Sequence, residues 1–210
     1  LIIQNMSLRH SDNKMKKYVV CIPASDDFAL ATSVLIYSLK KNLKVFGDCD
    51  VVVPYNNLNE KSMNLIQRAH KETKFKKPMD SSFYRHIPRT IYGVGNYDVY
   101  LSFEAFSQIG YERSIYLDAD MLCVGDFSDI VEDEKEIIWK YPNLGILVAG
   151  KKYLTGDTYN KMINLVINSD IKNRPDGDQV ACQHMFSPSN SDVKVISELY
   201  NFQNLGAGGK

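Results

Sequence analysis

Arg113-Ser114-Ile115-Tyr116-Leu117-Asp118-Ala119-Asp120-Met121-Leu122 is the stretch on which the reading of the fold turns. Ser114 to Leu117 is short, largely apolar and bounded by charge, the pattern of a buried strand. Asp118 and Asp120 follow at once, two positions apart, and on extended backbone alternate side chains share one face. In α/β proteins, ligands bind at the C-terminal edge of the parallel strands. Two oxygen ligands at such an edge suit a hard divalent ion that keeps positions open for phosphate oxygens. Without a cation the two carboxylates would repel each other. Read alone, the D-x-D pair fits equally well a pair of turn-forming aspartates at a strand end.

Working outward, Tyr18 to Ile22 is a second apolar run, stopped by Pro23, and reads as a buried strand. Ser25-Asp26-Asp27 offers N-caps for a helix over Phe28 to Lys41, with Ala31, Val34, Leu35 and Leu39 on one stripe. Asp50 to Val53, ending at Pro54, repeats the strand pattern, and 59–73 reads as a helix turning Leu65, Ile66 and Ala69 toward the core. Residues 74–96 are irregular, with Pro78, Pro88, Gly93 and Gly95 as breakers. Helical spacing resumes over Asp98 to Gln108 through Val99, Phe103 and Phe106. Ile137 to Lys140 and Gly145 to Ala149 are further strands, and Tyr159, Met162, Ile163 and Val166 mark a later helix. This alternation predicts one α/β domain over 15–210, a mostly parallel central sheet flanked by helices, behind a flexible extension at 1–14.

Composition narrows the function classes. The chain has 210 residues, 44% apolar and 24% charged, with 25 Lys and Arg against 25 Asp and Glu. No global field draws it to nucleic acid or an anionic membrane. Phe28 to Leu39, the longest nearly apolar stretch, is too short for a transmembrane segment, and Leu1–Ile3 runs directly into polar residues rather than forming a secretory signal. Cys21, Cys49, Cys123 and Cys182 lie far apart with no C-x-x-C pair, which predicts reduced thiols and a cytoplasmic protein. On that reading Asn5-Met6-Ser7 is a chance glycosylation tripeptide. The basic cluster Lys71, Lys74, Lys76 and Lys77 reads as a solvated helix end, and Glu132-Asp133-Glu134 as a solvated acidic run.

With these elements in place, the D-x-D stretch resembles the signature of glycosyltransferase family 8, which includes glycogenin and the lipopolysaccharide galactosyltransferases. Tyr18 to Leu39 is similar to the family's first strand, nucleotide loop and helix. Asn143-Leu144-Gly145-Ile146-Leu147-Val148 resembles its Asn-(Ser/Ala)-Gly segment, and Gly177-Asp178-Gln179 its Asp-Gln motif. Order and spacing agree over 18–203. The resemblance implies a GT-A, Rossmann-like fold, a UDP-sugar donor with glucose favoured, a glycan or glycoprotein acceptor, and retention of anomeric configuration. It implies Mn²⁺, with Mg²⁺ as a substitute, held by Asp118 and Asp120. Ile22, Pro23, Ala24, Ser25, Phe28 and Ala119 would bind the nucleotide, Phe28 standing where a Tyr often faces the base. Asn143 and Leu144 would lie near the donor sugar, Asp178 would bond its hydroxyls, and Gln179 would sit under the anomeric carbon.

Several features depart from that pattern. The family's basic residue before the D-x-D strand is replaced by Leu101 or Ser102. Leu144 is bulkier than the usual Ser or Ala and would narrow donor choice. The family's third metal ligand is a His in a late segment that does not follow Tyr200-Asn201-Phe202-Gln203 here. None of His10, His70, His86 and His184 pairs with another as H-x-x-x-H; His184 reads as a surface or satisfied core residue, and Trp139 as core. Tyr92, Tyr97 and Tyr100 suit sugar stacking or packing equally. Ser25-Asp26-Asp27 is a poor start for phosphate binding, and Gly206-Ala207-Gly208-Gly209-Lys210 lacks P-loop spacing, so a diphosphate would depend on the metal. The chain's length is also similar to that of virus-encoded capsid glycosyltransferases, which would place it in host cytoplasm. The alternatives are a D-x-D phosphatase with Asp118 as nucleophile and Asp120 as general acid, and a noncatalytic nucleotide-sugar-binding domain.

Overall fold

Tyr18–Cys21 forms β1, four buried residues whose β-branched and aromatic side chains suit an enclosed pleated surface. The computed structural model describes residues 16–85, 87 and 96–197, with the backbone alone at 85, 96 and 97. Among these residues β1 pairs in parallel with β2 (Cys49–Pro54) on one side and β4 (Arg113–Leu117) on the other. β2 pairs in parallel with a three-residue edge strand, β3 (Lys74–Lys76). Beyond β4, β6 (Ile146–Gly150) runs antiparallel both to β4 and to β5 (Ile137–Trp139), and β7 (Val193–Val195) lies parallel to β5. The order β3-β2-β1-β4-β6-β5-β7 is the expected mixed α/β, mostly parallel sheet, with one reversed strand that the sequence pattern did not distinguish.

Alternation along the strands divides the interior in two. Val20, Ile115 and Leu117 face α1 (Ala29–Asn42), α2 (Glu60–Ala69) and α3 (Ser128–Val131). Cys21, Tyr116 and Leu147 face a 3₁₀ segment, Asn96–Ala105, and the helices α4 (Gly156–Ile167) and α5 (Gly177–Met185). Each fully buried Leu, Ile or Phe contributes about 1.5–3 kcal/mol relative to exposure. Trp139 is enclosed in this second core, as expected, and all four cysteines are buried free thiols. No helix among the described residues is long and apolar enough to cross a membrane.

Several expectations need correction. The first long helix starts one residue late, behind a 3₁₀ turn at Asp26–Phe28, and Ser25 makes no side-chain cap. Asp26 instead accepts from the Asn59 amide (2.9 Å), tying this turn to the start of α2, where Asn59 caps the Ser62 amide. The buried face of α1 is Ala29, Thr32, Ser33, Leu35, Ile36 and Leu39, while Val34 is exposed. Thr32 and Ser33 tolerate burial because their hydroxyls donate to the carbonyls of Phe28 and Ala29, four residues back. The stretch read as an α-helix from Asp98 is wound as 3₁₀, whose i, i+3 rows set the Tyr100 ring against Phe103 in a tilted pair.

The lysine cluster is not a helix end. Lys74 and Lys76 lie on β3, where lysines discourage further strand pairing. Lys74 pairs with Asp50 (2.7 Å), and Lys77 sits over the Tyr55 ring. The acidic run is partly engaged: Asp133 pairs with Lys194. The extension at 1–14, Asn5-Met6-Ser7, His10, His86, Pro88, Tyr92, Gly93, Gly95, the Tyr200 to Gln203 stretch and the Gly206 to Lys210 stretch lie outside the described residues, as does the Tyr97 side chain.

Candidate active site

The site is assembled where β4 stops. The Asp118 amide donates to the Gly145 carbonyl (3.0 Å), the last rung between β4 and the entry to β6. The Met121 amide then donates to the Asp118 carbonyl (3.3 Å), closing a turn. Asp118 and Asp120 therefore do not share a strand face, because the strand ends at Leu117 and the chain folds back over the next three residues. The pair that does alternate on one face is Tyr116 and Asp118, and the Tyr116 hydroxyl donates to Asp118 Oδ1. Asp118 is half-buried and Asp120 exposed. Burial raises the Asp118 carboxyl above its ordinary range, the Tyr116 hydroxyl opposes this, and the charge of Asp120 adds to it.

The reversal of β6 places Asn143, Leu144 and Gly145 beside that turn. Asn143 Oδ1 accepts from the Gly145 amide (2.9 Å). From α5, Gln179 Oε1 accepts from the Leu144 amide (3.3 Å) and from Asn143 Nδ2 (3.4 Å). Asp178 is 7% exposed, and its carboxyl is pushed up to about 7, first by burial and then by the charge of Asp118. The Gln179 amide and the nearby Ser102 hydroxyl draw it the other way.

Gly177 permits this arrangement. A Cβ there would lie 2.0 Å from the Tyr100 hydroxyl and 2.7 Å from the Ile171 carbonyl oxygen. The Tyr100 hydroxyl donates to that same carbonyl (3.1 Å), so Tyr100 packs beneath the start of α5. Tyr100 is 1% exposed, a packing residue and not a stacking platform. Leu144 is likewise enclosed in the second core, so its bulk does not enter an open donor site. Leu101 and Ser102 are both buried, and Ser102 faces Asp178 from the position where the resemblance expects a basic residue.

Beyond β1 the chain stays in the sheet: the amides of Ile22 and Ala24 donate to the carbonyls of Val52 (3.0 Å) and Pro54 (3.1 Å). Both residues are enclosed, so Pro23, Ser25 and the 46% exposed Phe28 are the ones with surface to offer a nucleotide. Ala119 is half-buried against the first core. An apolar cavity of about 310 Å³ lies on that same side, among Leu35, Leu39, Leu117, Ile146 and Phe127. Asp178 is on the other face.

Asp118 and Asp120 provide two hard-oxygen donors, and among the described residues no cluster of three or more His, Cys, Asp or Glu forms a metal-sized site. The charge of Asp120 raises Asp118 and that of Asp118 raises Asp178, and carboxylates crowded in this way fit a divalent cation. His184 is exposed in the last turn of α5, and His70 packs edge-on against Phe46. The role of Tyr116 and the Tyr100–Gly177 contact were not singled out from sequence. The readable signal for Tyr116 is its place two residues before Asp118 on an alternating strand.

The profile of glycosyl transferase family 8 matches residues 19–135. The chain belongs to that family, and its fold is that of the GT-A glycosyltransferases. No curated protein sequence matches it. The galactosyltransferase LgtC, solved in complex with donor and acceptor sugar analogues, superposes with a TM-score of 0.66 at 14% identity, over 86% of this chain and 73% of LgtC. An active-site glutamine-to-glutamate mutant of LgtC gives the same TM-score at 13% identity, over 86% of this chain and 73% of LgtC. GlyE of Streptococcus pneumoniae TIGR4, in its apo form, gives 0.63 at 17% identity, over 90% of this chain and 46% of GlyE. The chain thus spans less than half the length of GlyE.

Proposed function

We propose that the chain is a metal-dependent, retaining glycosyltransferase that moves a hexose, glucose favoured, from a UDP-sugar to a glycan or protein-linked acceptor. The observation that carries this reading is the meeting of Asp118, Asn143, Asp178 and Gln179 at one sheet edge in a family 8 chain. LgtC, named for galactose transfer and solved with donor and acceptor sugar analogues, supports a sugar-transfer reading of this fold. Its active-site glutamine supports giving Gln179 a role in the reaction.

Asp118 and Asp120 would hold Mn²⁺ or its substitute Mg²⁺. When bound, such an ion neutralises the leaving diphosphate and acts as a Lewis acid on the departing oxygen. Pro23, Ser25 and Phe28 would hold the nucleotide, with Ala119 beside it. Asp178, enclosed and fixed at the start of α5, would bond the sugar hydroxyls away from bulk water. Gln179 is held in place by the Leu144 amide and Asn143. An uncharged amide suits electrostatic support of an oxocarbenium-like centre better than a lasting covalent bond, which favours attack from the same face. The leaving phosphate then takes the acceptor's proton. A single GT-A domain over 15–210 and a cytoplasmic location belong to the same proposal, the latter resting on four buried free thiols.

The test is calorimetric titration with UDP, GDP and CMP, each with and without Mn²⁺, on the wild type and on Asp120→Ala. Tight UDP binding that needs both metal and Asp120 is the expected result. Binding without nucleotide preference, or indifferent to metal and Asp120, would overturn the reading. UDP binding without sugar hydrolysis or transfer would mark a noncatalytic binder.

A further inference from the structure

Tyr116 is 4% exposed, one residue from the end of β4, with its ring enclosed in the second core. A phenylalanine would fill such a wall without needing a polar partner, whereas a buried tyrosine hydroxyl needs one. Its partner is Asp118 Oδ1, on the same face two residues on. Asp118 is also fixed through its backbone, its amide on the Gly145 carbonyl and its own carbonyl on the Met121 amide. Main chain and side chain are thus both constrained, and the side-chain constraint comes from one hydroxyl. That hydroxyl fixes Oδ1, and the carboxylate keeps lone pairs for a further partner.

We infer that Tyr116 is a positioning residue: its hydroxyl fixes the orientation in which the Asp118 carboxylate would meet a divalent cation. The inference rests on the metal role given to Asp118 above. Partners that orient a metal ligand this way typically change metal affinity by about 10- to 100-fold when removed.

The experiment measures Mn²⁺ affinity at fixed UDP, from the resonance of free Mn²⁺, on wild type, Tyr116→Phe, Asp118→Asn and the double variant. Unfolding midpoints without metal and UDP affinity at saturating Mn²⁺ are read alongside. Expected is a loss of about 10-fold or more in Mn²⁺ affinity for Tyr116→Phe, with UDP affinity at saturating Mn²⁺ unchanged. Added to Asp118→Asn, the Phe substitution should cost nothing further, because it acts through Asp118. Mn²⁺ affinity within twofold of wild type, or a loss that adds in full to that of Asp118→Asn, overturns the inference. Tyr116→Met removes the same donor and is read by the same criteria if Tyr116→Phe does not fold. A wild type that binds UDP without needing Mn²⁺ overturns the metal reading itself, a result distinct from a metal-binding wild type matched by Tyr116→Phe.

Discussion

Gly177→Ala adds one methyl group at the tightest point beneath the site. Its Cβ would sit 2.0 Å from the Tyr100 hydroxyl, 2.8 Å from the ring carbon bearing it, and 2.7 Å from the Ile171 carbonyl oxygen. None of these atoms is the free end of a flexible side chain, so either the ring or the start of α5 must move. Overpacking of this kind costs about 1–3 kcal/mol. Losing the buried Tyr100–Ile171 hydrogen bond adds about 0.5–1.5 kcal/mol. Alanine's helix propensity returns at most about 1 kcal/mol. The net loss of roughly 1–3 kcal/mol should lower the thermal midpoint by about 3–10 °C in a chain of this size. Asp178 and Gln179 follow directly on the same turn, so an ångström-scale displacement should lower UDP-sugar turnover by about 100-fold. Thermal unfolding and a hydrolysis assay read the two effects separately. Adding Tyr100→Phe removes the 2.0 Å clash but not the other two, and should restore part of each loss. A Gly177→Ala protein with wild-type midpoint and turnover would refute the packing argument.

Other outcomes follow from groups away from that contact. Glu104 is fully enclosed and accepts from the Tyr159 hydroxyl (2.7 Å), the Met79 amide (3.0 Å) and the Ser107 hydroxyl (2.9 Å). Glu104→Ala would strand these donors and cost about 2–4 kcal/mol, with Glu104→Gln costing less in the same denaturation series. Burial raises the Glu104 pKa above 4.5 despite those donors. Its contribution to stability is therefore complete below the unfolded value and falls away as pH rises through the folded one. Glu104→Gln should flatten that decline in a pH series of unfolding curves. Asn143→Ala would remove one of the two hydrogen bonds that hold Gln179 and lower kcat by about 10-fold or more, with UDP affinity in the presence of Mn²⁺ unchanged in calorimetry. The four cysteines are buried and burial pushes their thiols up, Cys49 to about 12, so a thiol reagent should modify them only on unfolding.

Much of the fold was legible because its strands are continuous apolar runs ended by Pro23, Pro54 or Asp118, and such runs have few alternatives to a buried sheet. β3 and β7 were not legible: each has three residues, mostly exposed or half-buried, and pairs along one side only, β3 with β2 and β7 with β5. The direction of β6 was hidden for a different reason, since a strand buried on both faces reads the same either way round. At the candidate site, the side chains that make short local patterns stood out in sequence: Asp118, Asp120, Asn143, Asp178 and Gln179. What supports them did not. Tyr100 meets Gly177 across 77 positions of chain, a contact made only when the 3₁₀ segment packs against α5. Leu144 stood out by its size, yet its side chain is enclosed in the second core while its amide donates to Gln179.

The reversal of β6 also limits where the chain can change length. β4 leaves the sheet at the edge where β6 enters it, so the pairing of Leu117 with Ile146 sets how far Asn143 lies from Asp118. One residue inserted between 143 and 146 would displace Asn143 by about 3.4 Å along the strand, and a slipped register would turn its neighbours to the opposite face. The same insertion in the turn between Gly150 and Gly156, at the other end of β6, would move no residue of the site. Insertions and deletions in this half of the sheet should therefore gather at that far end, leaving the segment from Asn143 to Ile146 constant in length.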